Sequence, residues 1–86
     1  MRVASHIHKR EDTDPKAGIK KYGKVEFADD TNCKYPIHRP WYVKAAWEYI
    51  HYPNNASKYT KSEVALIKQR IMEAAERFHI TLEQYH

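Results

Sequence analysis

The stretch "KYPIHRPWYVKAAWEYIHYP", residues 34–53, decides the fold. It holds both tryptophans, Trp41 and Trp47, together with Tyr35, Tyr42, Tyr49 and Tyr52, and it is bracketed by Pro36, Pro40 and Pro53. Proline is accepted in the first turn of a helix and rejected from its interior, so Pro40 and Pro53 bound a helix over about 40–51. At the helical period Val43, Ala46, Trp47 and Ile50 make one apolar face. Trp41, Ala45, Tyr49 and Tyr52 make a second arc, which leaves Lys44, Glu48 and His51 as the polar strip. A helix apolar on two sides lies in the middle of something. Two readings stand side by side: a segment containing Phe27, Tyr35 and Ile37 covers the second arc, or part of that arc is exposed and serves a partner or a second copy of the chain.

C-terminal to this stretch, "PNNASKY" is a polar connection, and Thr60 with Glu63 forms a T-x-x-E capping box that opens a second helix over about 61–79. Val64, Ile67, Ile71, Ala74, Ala75 and Phe78 fall on one stripe, which is core. Leu66 sits alone on the polar side and is expected to be exposed. Acidic and basic residues alternate on that side, with Glu73 and Arg77 in the favourable i,i+4 order, so the helix lacks the single-sign face of a DNA-reading helix. The last residues, "ITLEQYH", are expected to add a turn or fray.

N-terminal to the stretch, Val25 and Phe27 alternate, "DDTN" reads as a turn, and Tyr35 and Ile37 alternate again. This predicts a short hairpin-like extended segment, with Pro36 confining its second strand to an edge. Residues 1–23 combine charge, Pro15, Gly18 and Gly23 with scattered apolar residues and read as a flexible basic arm, ordered near its end by Ile19 and Tyr22. The expected fold is small and mostly α, of the α+β class: this arm, the extended segment and two antiparallel helices. The arm ends at 23 and residues 24–86 form a single small helical domain closed around Trp47, Ile50, Ile67, Ile71 and Phe78.

The chain of 86 residues allows one domain, and its 42% hydrophobic and 30% charged content is ordinary for a globular one. No apolar run reaches the roughly 20 residues needed to span a bilayer, and "MRVASHIHKRED" has no secretory apolar region, so a cytoplasmic location is expected with no membrane partner. Cys33 is the single cysteine, which excludes an intrachain disulfide and agrees with a reducing compartment. Residues 1–24 carry seven basic and three acidic side chains, while residues 25–86 carry eight of each. The net charge of +4 therefore belongs to the N-terminal region, where any attraction to polyanions should begin.

Motifs for chemistry are few. His6 and His8 are spaced to chelate from a strand and His38 could join them, but the pair sits in the arm and the other histidines are scattered, so no metal site is expected. Asp29, Asp30 and Asn32 suit a turn better than a calcium loop, which needs more oxygen ligands. Cys33 and His38 lack a third orienting group and an oxyanion site, and the two glycines cannot build a phosphate loop. No catalytic residue, no cofactor and no enzymatic activity is expected.

The residues "KYG", "FAD", "N-x-KYPI", "AAW-x-YI", "P-x-NA-x-KY" and "I-K-x-RI" run from about residue 21 to 71. Together they resemble a family of short bacterial and phage-associated hypothetical proteins, grouped as a domain of unknown function. Family members often carry an acidic residue where this chain has His38, which implies a helix-start role for that position. Cys33 stands where the family commonly has a lysine or polar residue. The resemblance implies the fold and carries no activity. The expected function is a non-enzymatic binding or accessory module. Lys20, Lys21 and Lys24 supply attraction, and Trp41, Tyr49 and Tyr52 supply contact to a protein partner or a second copy. The alternative is a small nucleic-acid-associated protein that uses its basic arm for weak, non-specific binding.

Overall fold

The structure, a computed structural model, describes residues 6–84. Its elements in chain order are α1 (Pro15–Tyr22), β1 (Phe27–Asp29), β2 (Lys34–Pro36), α2 (Pro40–Ile50), α3 (Pro53–Ala56) and α4 (Lys61–Arg77). The α+β expectation holds, with four helices and one antiparallel hairpin. β1 and β2 pair with Phe27 opposite Pro36 and Asp29 opposite Lys34. Pro36 has no N–H to give, and the ladder is continued by Ile37, whose N–H donates to the Glu26 carbonyl at 2.9 Å.

Both long helices begin as the sequence demands. Pro40 stands in the first turn of α2, after an extended N-cap at Arg39 whose side chain makes no capping bond. His38 is therefore one residue before the cap, not the cap itself. α4 opens on the full capping box: the Glu63 N–H donates to Thr60 Oγ1 at 3.1 Å, and Glu63 Oε1 accepts the Thr60 N–H at 2.8 Å. It closes with His79 at a left-handed φ of 57° and the Ile80 N–H donating back to the Ala75 carbonyl at 2.8 Å. That closure turns Ile80 onto the core, with Leu82 packed there too, so the segment is docked as far as Glu83.

α2 and α4 make the main helix contact, and Val43, Ala46, Ile50, Ile67, Ile71, Ala74 and Ala75 are buried between the layers with Ile7, Ile37 and Tyr59. Trp47 and Phe78, expected at the centre, are only partly buried and pack against this cluster from outside. The Trp47 indole N–H donates to the Glu83 carbonyl at 2.7 Å, so its ring joins α2 to the C-terminal segment. Leu66, expected to be exposed, is buried. The flank of α4 that carries Glu63, Leu66 and Arg70 faces the N-terminal segment and the hairpin, as bonds from His8 to Glu63 and from Arg70 to the Ala28 carbonyl show.

The largest departure from expectation is the arm. Residues 1–5 lie outside the described residues, but from residue 7 onward the segment is part of the fold. Ile7 is 1% exposed and belongs to the core cluster. Its neighbours are fastened by long-range hydrogen bonds: the His8 N–H to Glu63 Oε2 at 2.7 Å, and the Arg10 N–H to Asn32 Oδ1 at 2.7 Å. Beyond them, Asp14 caps Pro15–Tyr22 by accepting the Lys16 N–H at 3.0 Å, and Gly23 ends the helix at φ 89°. A Cβ built at Gly18 would run into the Cys33 carbonyl oxygen and stand 2.8 Å from Cys33 Cβ. Glycine is what lets α1 lie directly on the hairpin turn. No helix among the described residues is long and apolar enough to cross a membrane.

Candidate interaction surface

The hairpin and α4 cover one side of α2 and leave another open. Trp41 is 63% exposed, Tyr49 50% and Tyr52 45%. Trp41, Ala45 and Tyr49 share one face of α2, and Tyr52 follows just past its end. Of the two readings left open by the sequence, the structure has Phe27, Tyr35 and Ile37 packed without covering this arc. The arc is nonetheless built. The Tyr49 and Tyr52 rings lie 5.9 Å apart, the Tyr52 hydroxyl donates to Glu48 Oε1 at 2.7 Å, and Asn55 Nδ2 donates to the Tyr49 carbonyl at 2.8 Å. The Asn55 bond adds a second donor to a carbonyl at the end of α2 that also accepts the Tyr52 N–H at 3.2 Å.

Next to the arc, rings from three elements meet. Tyr42 takes the edge of Tyr22 at 5.5 Å, stacks on His38 at 4.8 Å and touches Trp41 at 5.9 Å. The His38 Nδ1 is buried and has no hydrogen-bond partner among the described residues. A cleft of about 230 Å³ opens among Tyr22, Tyr35, Pro36, Tyr42, Ala45 and Tyr49. Tyr22 brings α1 with it: Lys21 Nζ sits 5.3 Å over the Tyr22 ring, and Lys20 and Lys24 are exposed on either side. Lys21 of α1 and Trp41 of α2 are thus linked through the ring contacts of Tyr22 and Tyr42.

The charge around these rings is one-sided. Residues 15–25 and 31–47 contain Lys16, Lys20, Lys21, Lys24, Lys34, Arg39 and Lys44, seven of the fifteen basic residues of the chain, and none of its eleven acidic ones. All seven are exposed. The two segments pack on each other through Tyr22 and Tyr42 and through Gly18 and Cys33. Counting charge as arm against body hid this, because Glu11, Asp12 and Asp14 fall in the same window as the lysines of α1. Of the carboxylates that border them, Glu26 accepts from Arg77 at 2.6 Å and Asp30 from Arg70 at 3.1 Å, whereas Asp14 caps α1 and Glu48 accepts the Tyr52 hydroxyl.

The remaining candidates for chemistry are distributed differently. Cys33 is buried, and burial, reinforced by Asp29 and Asp30, pushes its thiol up, away from the reactive thiolate. His8 is held by Glu63, its ring Nδ1 lying 2.8 Å from both carboxylate oxygens. Among the described residues no three His, Cys, Asp or Glu side chains gather to hold a metal ion. Asp29, Asn32, Tyr59 and Arg10 form a hydrogen-bonded network. The Tyr59 hydroxyl donates to Asp29 Oδ2 at 2.7 Å and accepts from Arg10 at 3.0 Å. Burial, then the bond to Asp29, pushes the Tyr59 hydroxyl far up, so it stays protonated.

No curated protein and no solved structure matches this chain. A family model does match, over residues 3–85 of the 86, and the chain belongs to that family of unknown function (DUF6582).

Proposed function

We propose that the protein is a non-enzymatic binding module whose contact surface is the arc of Trp41, Tyr49 and Tyr52 with the neighbouring cleft. The observation that carries this reading is Trp41, 63% exposed on a rigid helix with further rings beside it. Leaving large aromatic surface in water forgoes burial worth roughly 1.5 to 3 kcal/mol per side chain, and contiguous patches of this kind mark interaction sites. Tryptophan and tyrosine are also the residue types that dominate binding energy where surfaces meet.

The test is an amide and indole NMR titration of the full chain against three probes: a 20-nucleotide oligothymidylate, a poly-glutamate peptide, and the protein itself over a dilution series. Shifts that map to Trp41, Tyr49 and Tyr52 with any one of them support the reading. Shifts confined to other surfaces with all three would overturn it.

A further inference from the structure

We infer that the cation-rich region beside the arc binds single-stranded nucleic acid, an inference that rests on the binding-module reading and names its partner. Two independent features point there. The first is charge. Residues 15–25 and 31–47, which pack together through α1 and the start of α2, present seven exposed cations and no carboxylate, although acidic residues make up eleven of the 86 in the chain. The rest of the molecule is correspondingly acidic, so the cations are segregated, and a phosphate backbone supplies the dense negative charge that such a region attracts.

The second feature is the rings set among those cations. Trp41 and Tyr49 are at least half exposed and Tyr52 nearly so, and Tyr42 and Tyr22 line the adjoining cleft. Flat faces beside cations are how proteins hold single strands, with each base stacking on a ring irrespective of sequence. In a duplex the base faces are stacked on each other and out of reach, so the rings select the single strand. An acidic peptide would satisfy the charge but leave Trp41 and Tyr49 without a matching face. One carboxylate, Glu48, lies beside the arc, and it accepts the Tyr52 hydroxyl. It positions that ring and lies one helical turn from Lys44 on α2.

Lys21 lies over the Tyr22 ring, Tyr22 meets Tyr42 of α2, and Arg39 is the N-cap of that helix, so a strand stacked on these rings would meet both cations. Because α1 is docked on the hairpin, these cations are held in place relative to the rings.

The experiment is fluorescence anisotropy of labelled oligothymidylate with the full chain at several salt concentrations. Single-strand affinity should fall with salt, and Lys20→Ala/Lys21→Ala should make the slope of log K against log salt shallower by about 1.4, the counterions of two phosphates. Trp41→Ala should weaken binding about fivefold to a hundredfold while leaving that slope unchanged, because it removes stacking and no charge. Trp41 is exposed, so the variant should melt with the parent, which circular dichroism checks. Unlabelled poly-glutamate of equal charge should compete poorly. Binding that Trp41→Ala leaves intact, or that poly-glutamate displaces as well as oligothymidylate does, would overturn the inference. If the arc responds to the peptide or to a second copy while the oligonucleotide does not bind, the nucleic-acid inference falls and the binding-module reading stands.

Discussion

Asn32→Ala is expected to lower the stability of the folded chain by about 3 to 5 kcal/mol, out of the order of 4 to 13 kcal/mol typical for a domain of this length. Asn32 is fully buried and uses its whole side chain. Its Oδ1 accepts from the Arg10 N–H at 2.7 Å and from Thr13 Oγ1 at 3.2 Å. Its Nδ2 donates to the His8 carbonyl at 3.0 Å and to Asp29 Oδ2 at 2.9 Å. Truncation strips partners from a backbone N–H, a backbone carbonyl and a buried carboxylate at once, and unsatisfied buried groups cost more than the bonds themselves contribute. The loss should appear in urea unfolding. Before global unfolding, the Arg10 amide should exchange with solvent much faster than in the parent. A variant with parental stability and a protected Arg10 amide would mean that the N-terminal segment is held by something other than this side chain.

The second large effect is acid sensitivity centred on Glu63. Burial alone would raise its carboxyl, but N–H donors from Thr60 and His8 and the His8 ring outweigh it and hold the group at about 2, below its ordinary 4.5. A carboxyl depressed in the folded state contributes stability that is complete above the unfolded value, near 4.5, and is lost as pH falls toward 2. The contribution is on the order of 3 kcal/mol at neutral pH. Glu63→Gln should therefore be destabilised by about 2 to 3 kcal/mol at pH 7 and should approach the parent near pH 2, with urea midpoints converging between. Midpoints that stay parallel across that range would show that the charge of Glu63 is not what secures the contact.

Both effects concern the part of the fold that was hardest to see in the sequence. Thr60 and Glu63 announced a helix start because a capping box is a local pattern. That the same carboxylate also holds His8, 55 residues away, leaves no mark in any window. Asn32 was legible as a turn residue, and it does sit in a turn, its N–H donating to Asp29 Oδ1 at 3.0 Å. Its role as the anchor of residues 8–13 is non-local in the same way. Pro40 and Pro53 bounded α2 correctly, and the alternation of Phe27, Tyr35 and Ile37 marked the hairpin, since backbone limits and side-chain period act within a few residues.

For α1 the local signals were present but outvoted. Asp14, Pro15 and Gly23 are a cap, a first-turn proline and a terminating glycine, yet the lysines between them read as an arm, ordered only near its end by Ile19 and Tyr22. The packing of Gly18 on Cys33 and of Tyr22 on Phe27 and Tyr42 gives so short and polar a helix its place in the fold. At the candidate surface the rings of Trp41, Tyr49 and Tyr52 were legible as an arc, but core and surface could not be separated without knowing which side α4 and the hairpin occupy. The clearest charge feature, two acid-free segments, was in the sequence all along and emerged once Tyr22 and Tyr42 showed that those segments are neighbours.

The aromatic stretch is divided, with Trp41 turned to solvent and Trp47 fastened to the C-terminal segment. Acrylamide quenching of two single-tryptophan variants, Trp47→Phe and Trp41→Phe, tests it directly. Trp41, observed in the first, should be quenched strongly and emit at long wavelength, whereas Trp47, observed in the second, should be quenched less and emit further to the blue. Equal quenching, or a protected Trp41 beside an accessible Trp47, would contradict the assignment of the arc as the open surface of the molecule.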